Sequence, residues 1–306
     1  MNITVIGTLN KDLILPFNDS PIESFGGIFF DVAILSRLLA ETDRVMPVAF
    51  LGEDVAGQVL AILQKLPNVV TDGLKIVEQK NHKVILEYTS PTERQEKALF
   101  NFPPLTWDEI APFAESDFMI VNMITGWDVA LEAFQRLGEK FEDRLYFDVH
   151  FLVMGIDELG RRFPRRPANI EEWLEVARFV QLNRREFHII DPDVHSAVEF
   201  HKKYLRPQQV LLITREAEGA TVVYQSHGKI VSRDVPGYHV SRLIDPTGCG
   251  DAFGAGFVVH YLKSGNLLAA VDFANLVGAA NATIRGTTEM NTLLQKMSAI
   301  KQLNKR

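Results

Sequence analysis

The sequence predicts an α/β fold: a doubly wound, mostly parallel central sheet flanked by helices, with a small β-lid over its C-terminal edge. Three observations predict it. Residues 3–6, 45–51, 118–121, 145–147, 179–182 and 210–213 are short apolar runs, the character of parallel strands buried on both faces. Segments with helical spacing separate several of them, so that the strands are joined by right-handed crossovers. Residues 74–78, 83–89 and 97–102 instead alternate apolar and polar residues, as antiparallel strands with one wet face do.

With 306 residues the chain can bury a large core, and no repeat, linker or low-complexity tract divides it. Residues 1–306 are therefore expected to form a single domain, with the lid built from roughly 12–25 and 74–103. A net charge of −7 argues against nucleic acid or an anionic membrane as partner. The one cysteine, Cys249, permits no internal disulfide and suits a reducing compartment. The first residues lack a basic signal-peptide region, and no apolar run has the length of a membrane span, so a cytoplasmic protein is expected.

In chain order, residues 3–6 end at Gly7, and Asn10 and Asp12 follow where α/β folds gather ligand sites, although both also read as turn formers. Gly26 and Gly27 precede an amphipathic helix at 28–40 that carries Asp31. The strand at 45–51 leads into a helix ending near Lys65, with Asp54 as an N-cap. The lid runs follow, and their open faces offer a surface through which two copies could pair. Asp148 and His150 close the strand at 145–147 and are placed to face a cleft, although an isolated histidine is ordinarily structural. The charge run from Arg161 to Pro167 reads as a solvated loop in preference to a phosphate contact. Asn183 and Glu186, three residues apart, read as a capping box. Thr214 ends the strand at 210–213, and Gly219 begins a further one to 224. Residues 252–262 and 267–283 read as buried helices, and 289–303 as a polar-faced closing helix.

The densest signal is Asp245-Pro246-Thr247-Gly248-Cys249-Gly250-Asp251. Pro246 favours an extended entry, and Gly248 and Gly250 let the backbone turn tightly against a ligand. The small and apolar residues that follow make a helix, whose first N–H groups have no internal partner and suit a phosphate or developing oxyanion. Asp251, in that first turn, suits removal of a proton from a hydroxyl attacking a phosphoryl group. Ordinary capping is a competing reading. A dinucleotide fingerprint is not, because Phe253 stands where its third glycine belongs, and no P-loop pattern occurs.

The segment Asp245-x-Thr247-Gly248-x-Gly250-Asp251 resembles the signature of the ribokinase-like (PfkB) family of carbohydrate and nucleoside kinases, and the similarity extends along the chain. The resemblance implies a ribokinase-like fold and ATP-dependent phosphorylation of a sugar hydroxyl. It assigns the catalytic base to Asp251 and the anion hole to the Gly248, Cys249 and Gly250 amides. Substrate contacts fall to Asn10, Asp12, Gly26, Gly27 and Asp31, the last standing where the family has asparagine. Nucleotide contacts fall to Asn183, Thr214, Gly219 and Asn275, with Glu216 in place of a family glycine. Glu186 is implied to organise Mg²⁺ through water, and Asp245 and Thr247 to border a monovalent cation, K⁺ being the natural one. A nucleoside kinase of the same fold and a catalytically silent sugar or nucleotide sensor are the alternatives; Phe25, Phe29 and Phe30 would stack a base in the first.

Overall fold

The computed structural model describes residues 1–17, 20–88, 94–99, 101–287 and 289–304. Its strands are β1 (Asn2–Ile6), β2 (Leu9–Leu15), β3 (Ile22–Gly27), β4 (Arg44–Gly52), β5 (Leu74–Val77), β6 (Lys83–Tyr88), β7 (Arg94–Leu99) and β8 (Phe118–Asn122). There follow β9 (Leu145–Asp148), β10 (Met154–Ile156), β11 (Arg162–Pro164), β12 (Phe179–Asn183), β13 (Val210–Thr214), β14 (Gly219–Ser226) and β15 (Lys229–Pro236).

The main sheet has the order β15-β14-β13-β12-β9-β8-β1-β4-β5, parallel from β13 to β5, with β14 and β15 antiparallel at one edge. Its central parallel strands are mainly apolar because helices cover both faces. Ile3 and Val5 of β1 pack into one layer and Ile6 into the other, as the period of two requires. The first layer holds the helices Phe29–Leu38, Glu53–Leu63, Cys249–Ser264, Leu267–Asn281 and Leu293–Leu303. The second holds Leu131–Phe141, Ile170–Leu174, Arg184–Ile190 and Ala197–Tyr204. No helix among the described residues is long and apolar enough to cross a membrane.

The lid is a second sheet of order β3-β2-β6-β7, in which β2 pairs antiparallel with β3 but parallel with β6. Residues 18, 19, 89–93 and 100 of the expected lid lie outside the described residues. Three expectations are corrected. Residues 74–78 do not join the lid: β5 pairs parallel with β4 at the edge of the main sheet. Alternation reports one wet face, and an edge strand has one too; Ile76 is half exposed. Asp54 does not cap the helix, whose N-cap is Gly52; its Oδ1 accepts instead from the Asn81 N–H at 2.8 Å. The run Arg161 to Pro167 is not merely a solvated loop, because β11 pairs with β10 and the Arg162 side chain is buried.

Candidate active site

At the C-terminal ends of β8, β9 and β12 lies a cavity of about 420 Å³, roofed by lid residues Asn10, Val84, Leu86 and Glu96. The glycine loop forms its floor. Gly248 has φ +76°, a left-handed conformation, and a Cβ there would collide with the Phe30 ring, so glycine is required on two counts. Thr247 N–H donates to Asp245 Oδ1 at 2.9 Å, an Asx turn that closes the loop just before the helix Cys249–Ser264. Gln181 ties this loop to the sheet: its Nε2 donates to Gly250 O at 3.2 Å and to Asp148 Oδ2 at 2.6 Å, while its Oε1 accepts from the Tyr146 hydroxyl.

Asp251 sits in the first helical turn, 5 % exposed, and lines the cavity. Its Oδ1 accepts from Asn122 Nδ2 at 2.8 Å, and His150 Nδ1 lies 3.9 Å from the same oxygen. Burial lifts the Asp251 carboxyl to about 6, with the Asn122 hydrogen bond pulling the other way. Asp148 is also raised, by burial first and then by the charges of Glu186, Asp251 and Asp31. Burial carries Glu186 to about 8. His150 is pushed down to about 3 by burial, aided by the Arg162 charge, and is therefore a neutral imidazole. It holds φ +39°, an uncommon conformation for a side chain, and rests against Phe151.

The structure gathers most of the residues singled out in the sequence. Asn10, Asp12 and Gly27 line the cavity on the side of the lid. Gly26 lies behind Asp12, whose carboxylate occupies the space that a Cβ would need. Asn183, Glu186 and Thr214 line the opposite side, with Thr247, Gly248, Cys249 and Gly250 between. Asn183 and Glu186 do form the capping box: Glu186 N–H donates to Asn183 Oδ1 at 2.9 Å and Asn183 N–H to Glu186 Oε2 at 2.8 Å.

Others are placed differently. Asp31 is 1 % exposed and does not line the cavity; it accepts from Asn122. Asn275, 7 % exposed, donates to the carbonyls of Val235 and Pro236, and Gly219 begins β14 outside the cavity wall. Asp245 accepts from Thr247 and Gly286 N–H groups, and the Ala282 carbonyl accepts from Ile244 and Asp245 N–H groups. Asp245, expected to border a monovalent cation, thus holds one backbone N–H on each of its carboxylate oxygens. Phe30 lines the cavity, whereas Phe25 and Phe29 line a separate groove.

Asp148 and His150 line the cavity, as their place after the strand at 145–147 implied. Three residues at or behind the cavity carry roles that the sequence reading did not assign. Asn122, behind the wall, and Gln181, on it, are polar residues within buried strands, a signal that was legible because such groups require partners. Arg162 Nε meets Glu96 Oε1 at 2.7 Å, its guanidinium carbon lies 3.6 Å from the Phe151 ring centroid, and its Nη atoms donate to the Ile124 and Thr125 carbonyls. It fastens lid strand β7 to the cavity wall.

Comparison with known proteins bears on this arrangement. A nucleoside kinase of Methanocaldococcus jannaschii is 30 % identical over 112 residues, which span 37 % of this chain and only 33 % of that protein. Among solved structures, the Burkholderia thailandensis nucleoside kinase in complex with inosine superposes with a TM-score of 0.77 at 19 % identity, over 100 % of this chain and 99 % of that one. A fructokinase with bound ATP from Xylella fastidiosa gives a TM-score of 0.77 at 18 % identity, with 100 % and 99 % covered. Ribokinase from Thermotoga maritima gives 0.74 at 16 %, with 99 % of each chain covered. At these identities the superpositions establish the ribokinase-like fold alone. Residues 32–293 match the description pfkB family carbohydrate kinase. On a match spanning most of its length, the chain belongs to the pfkB family of carbohydrate kinases, phosphotransferases with an alcohol group as acceptor.

Proposed function

We propose that this kinase transfers the γ-phosphoryl group of ATP to a hydroxyl of a small sugar, with Asp251 as general base. The observation that carries the reading is the position of Asp251: on the cavity floor, in the first turn of a helix entered through Gly248, with its carboxyl lifted to about 6. Such a base is ionised at neutral pH yet basic enough to take a hydroxyl proton. The Gly248 and Gly250 amides face the charge developing on the transferring group, where preorganised donors act without reorganisation, whereas the Cys249 N–H donates to the Pro246 carbonyl at 3.3 Å. Asn10 and Asp12 hold acceptor hydroxyls from β2, and the Gly26–Gly27 backbone admits the acceptor closely. Asn183, Thr214 and Gly219 belong to the nucleotide side, and Asn275 shapes it through the backbone at Val235 and Pro236.

Magnesium fits the donor set. Asp148 and Glu186 are hard oxygen donors whose carboxyls are raised by burial, and a divalent cation is the partner such a group of carboxylates lacks. They would hold it through water, and it would supply positive charge against the phosphate oxygens. No step here uses a monovalent cation.

A nucleoside acceptor is the second reading, favoured by the M. jannaschii relative and by the apolar wall of Phe30, Val84, Leu86 and Ile124. The test is ADP release from Mg·ATP over a panel of pentoses, hexoses and nucleosides. Release with sugars supports the first reading, and release with nucleosides alone gives the second.

A further inference from the structure

Asp31 stands apart from the cavity it was expected to line. It lies near the start of the helix Phe29–Leu38, 1 % exposed, and its Oδ2 accepts from Asn122 Nδ2 at 3.0 Å. The same amide nitrogen donates to Asp251 Oδ1 at 2.8 Å. Asn122 is fully buried at the C-terminal end of β8, where its backbone is paired in register with Asp148 of β9. An amide nitrogen carries two hydrogens in one plane, and here each has a carboxyl oxygen. Both being used, the plane of the amide is fixed.

We propose that Asn122 and Asp31 are positioning residues for the base: Asn122 holds Asp251 Oδ1 with one N–H, and Asp31 aims the amide by accepting the other. This rests on Asp251 being the base. With Oδ1 held, the carboxylate cannot rotate freely, and Oδ2 is the oxygen left for the acceptor hydroxyl. Asn122 Oδ1 has no hydrogen-bond partner among the described residues, so the amide is oriented through its nitrogen and the two carboxyls. Turning it over would take the N–H donors away from both carboxyl oxygens. Asp31 thus reaches the reaction through Asn122, and a substitution there should alter turnover and leave acceptor binding intact.

The test uses the best acceptor from the panel above and measures kcat, acceptor KM and thermal melting for Asn122→Ala, Asp31→Ala and Asp31→Asn. Loss of Asn122 should lower kcat by about 10- to 100-fold, less than the roughly 10²- to 10⁴-fold of removing the base, because the carboxylate is misplaced and not lost. Acceptor KM should stay within about two-fold of the parent value, because neither residue touches the acceptor. Asp31→Ala should lower kcat in the same sense. Asp31→Asn, whose side-chain oxygen can still accept from Asn122, should restore kcat to within about three-fold. A rise in acceptor KM at unchanged kcat on replacing Asp31 would overturn the proposal, as direct substrate contact predicts that pattern. So would a lowered melting temperature with kcat untouched, the mark of a purely structural pair. Asp31→Asn alone keeps the question open to refutation if the alanine variants do not fold. Asp251→Asn is assayed in parallel: normal turnover there removes the base itself, whereas its inactivity beside an unaffected Asn122→Ala removes only the relay.

Discussion

Lowering the pH tests the environment of Asp251 directly. Its carboxyl is lifted from an ordinary 3.8 to about 6, chiefly by burial. A base must be unprotonated to act, so activity should be present above that value and lost as pH falls through it. From the titration relation, ~97 % of such a group is ionised at pH 7.5 and only ~9 % at pH 5, a roughly tenfold loss of kcat/KM. An aspartate left at its ordinary value would still be ~94 % ionised at pH 5, and the rate would hardly change. His150 adds nothing in this window, because its imidazole, held down near 3, is neutral throughout. Glu186, lifted to about 8 by burial, titrates within it and is kept ionised by assaying at saturating Mg²⁺. The assay is initial-rate ADP formation from pH 4.5 to 8.5, followed directly by chromatography so that no coupling enzyme limits the acid arm. Intact fold at pH 5 is checked by circular dichroism. A kcat/KM that stays flat down to pH 5 in folded protein would refute a base with a raised pKa.

Four further outcomes are expected. Asp251→Asn should fold and bind substrate while losing about 10²- to 10⁴-fold in kcat, and normal turnover would show that the base lies elsewhere. Glu216 holds φ +48°, so Glu216→Gly should relieve about 1 kcal/mol of strain and remove a charge from the nucleotide side. A higher melting temperature and a lower KM for ATP, with acceptor KM unchanged, are the readouts; a higher KM for ATP would mean that Glu216 assists binding. Burial pushes the Cys249 thiol up to about 11, so iodoacetamide should label it slowly at pH 8, and more slowly still with Mg·ATP, as intact mass would show. Cys249→Ala should remain active, since the loop uses the backbone at that position.

What could be read in the sequence was local. The glycine loop and Asp251 lie within seven consecutive residues, and backbone sterics together with the unpaired amides of a first helical turn give them meaning without any other part of the chain. The Asn183–Glu186 box was legible for the same reason, since its two hydrogen bonds span three residues. The buried parallel strands announced themselves by composition, which is set by helices covering both faces. Where β5 pairs was not legible, because a period of two marks an exposed face without saying which sheet owns it.

Arg162 looked like part of a solvated charge run, and its burial depends on Glu96, 66 residues away in sequence, which compensates the charge. Asn122 bonds Asp31 across 91 residues and Asp251 across 129, so no spacing rule could have joined them. For Cys249 the sequence supplied opposing influences, helix-terminal amides favouring the thiolate and Asp251 opposing it. Burial settled the balance in favour of the thiol. The sequence by itself determined the family motif, the helix starts and the strand character, because these follow from covalent neighbours and local backbone preference. Only the tertiary structure decided which carboxyl stays in the cavity, which retreats behind an amide, and how far each is driven from its ordinary pKa. Desolvation and the distance between charges are properties of packed atoms and not of residue order.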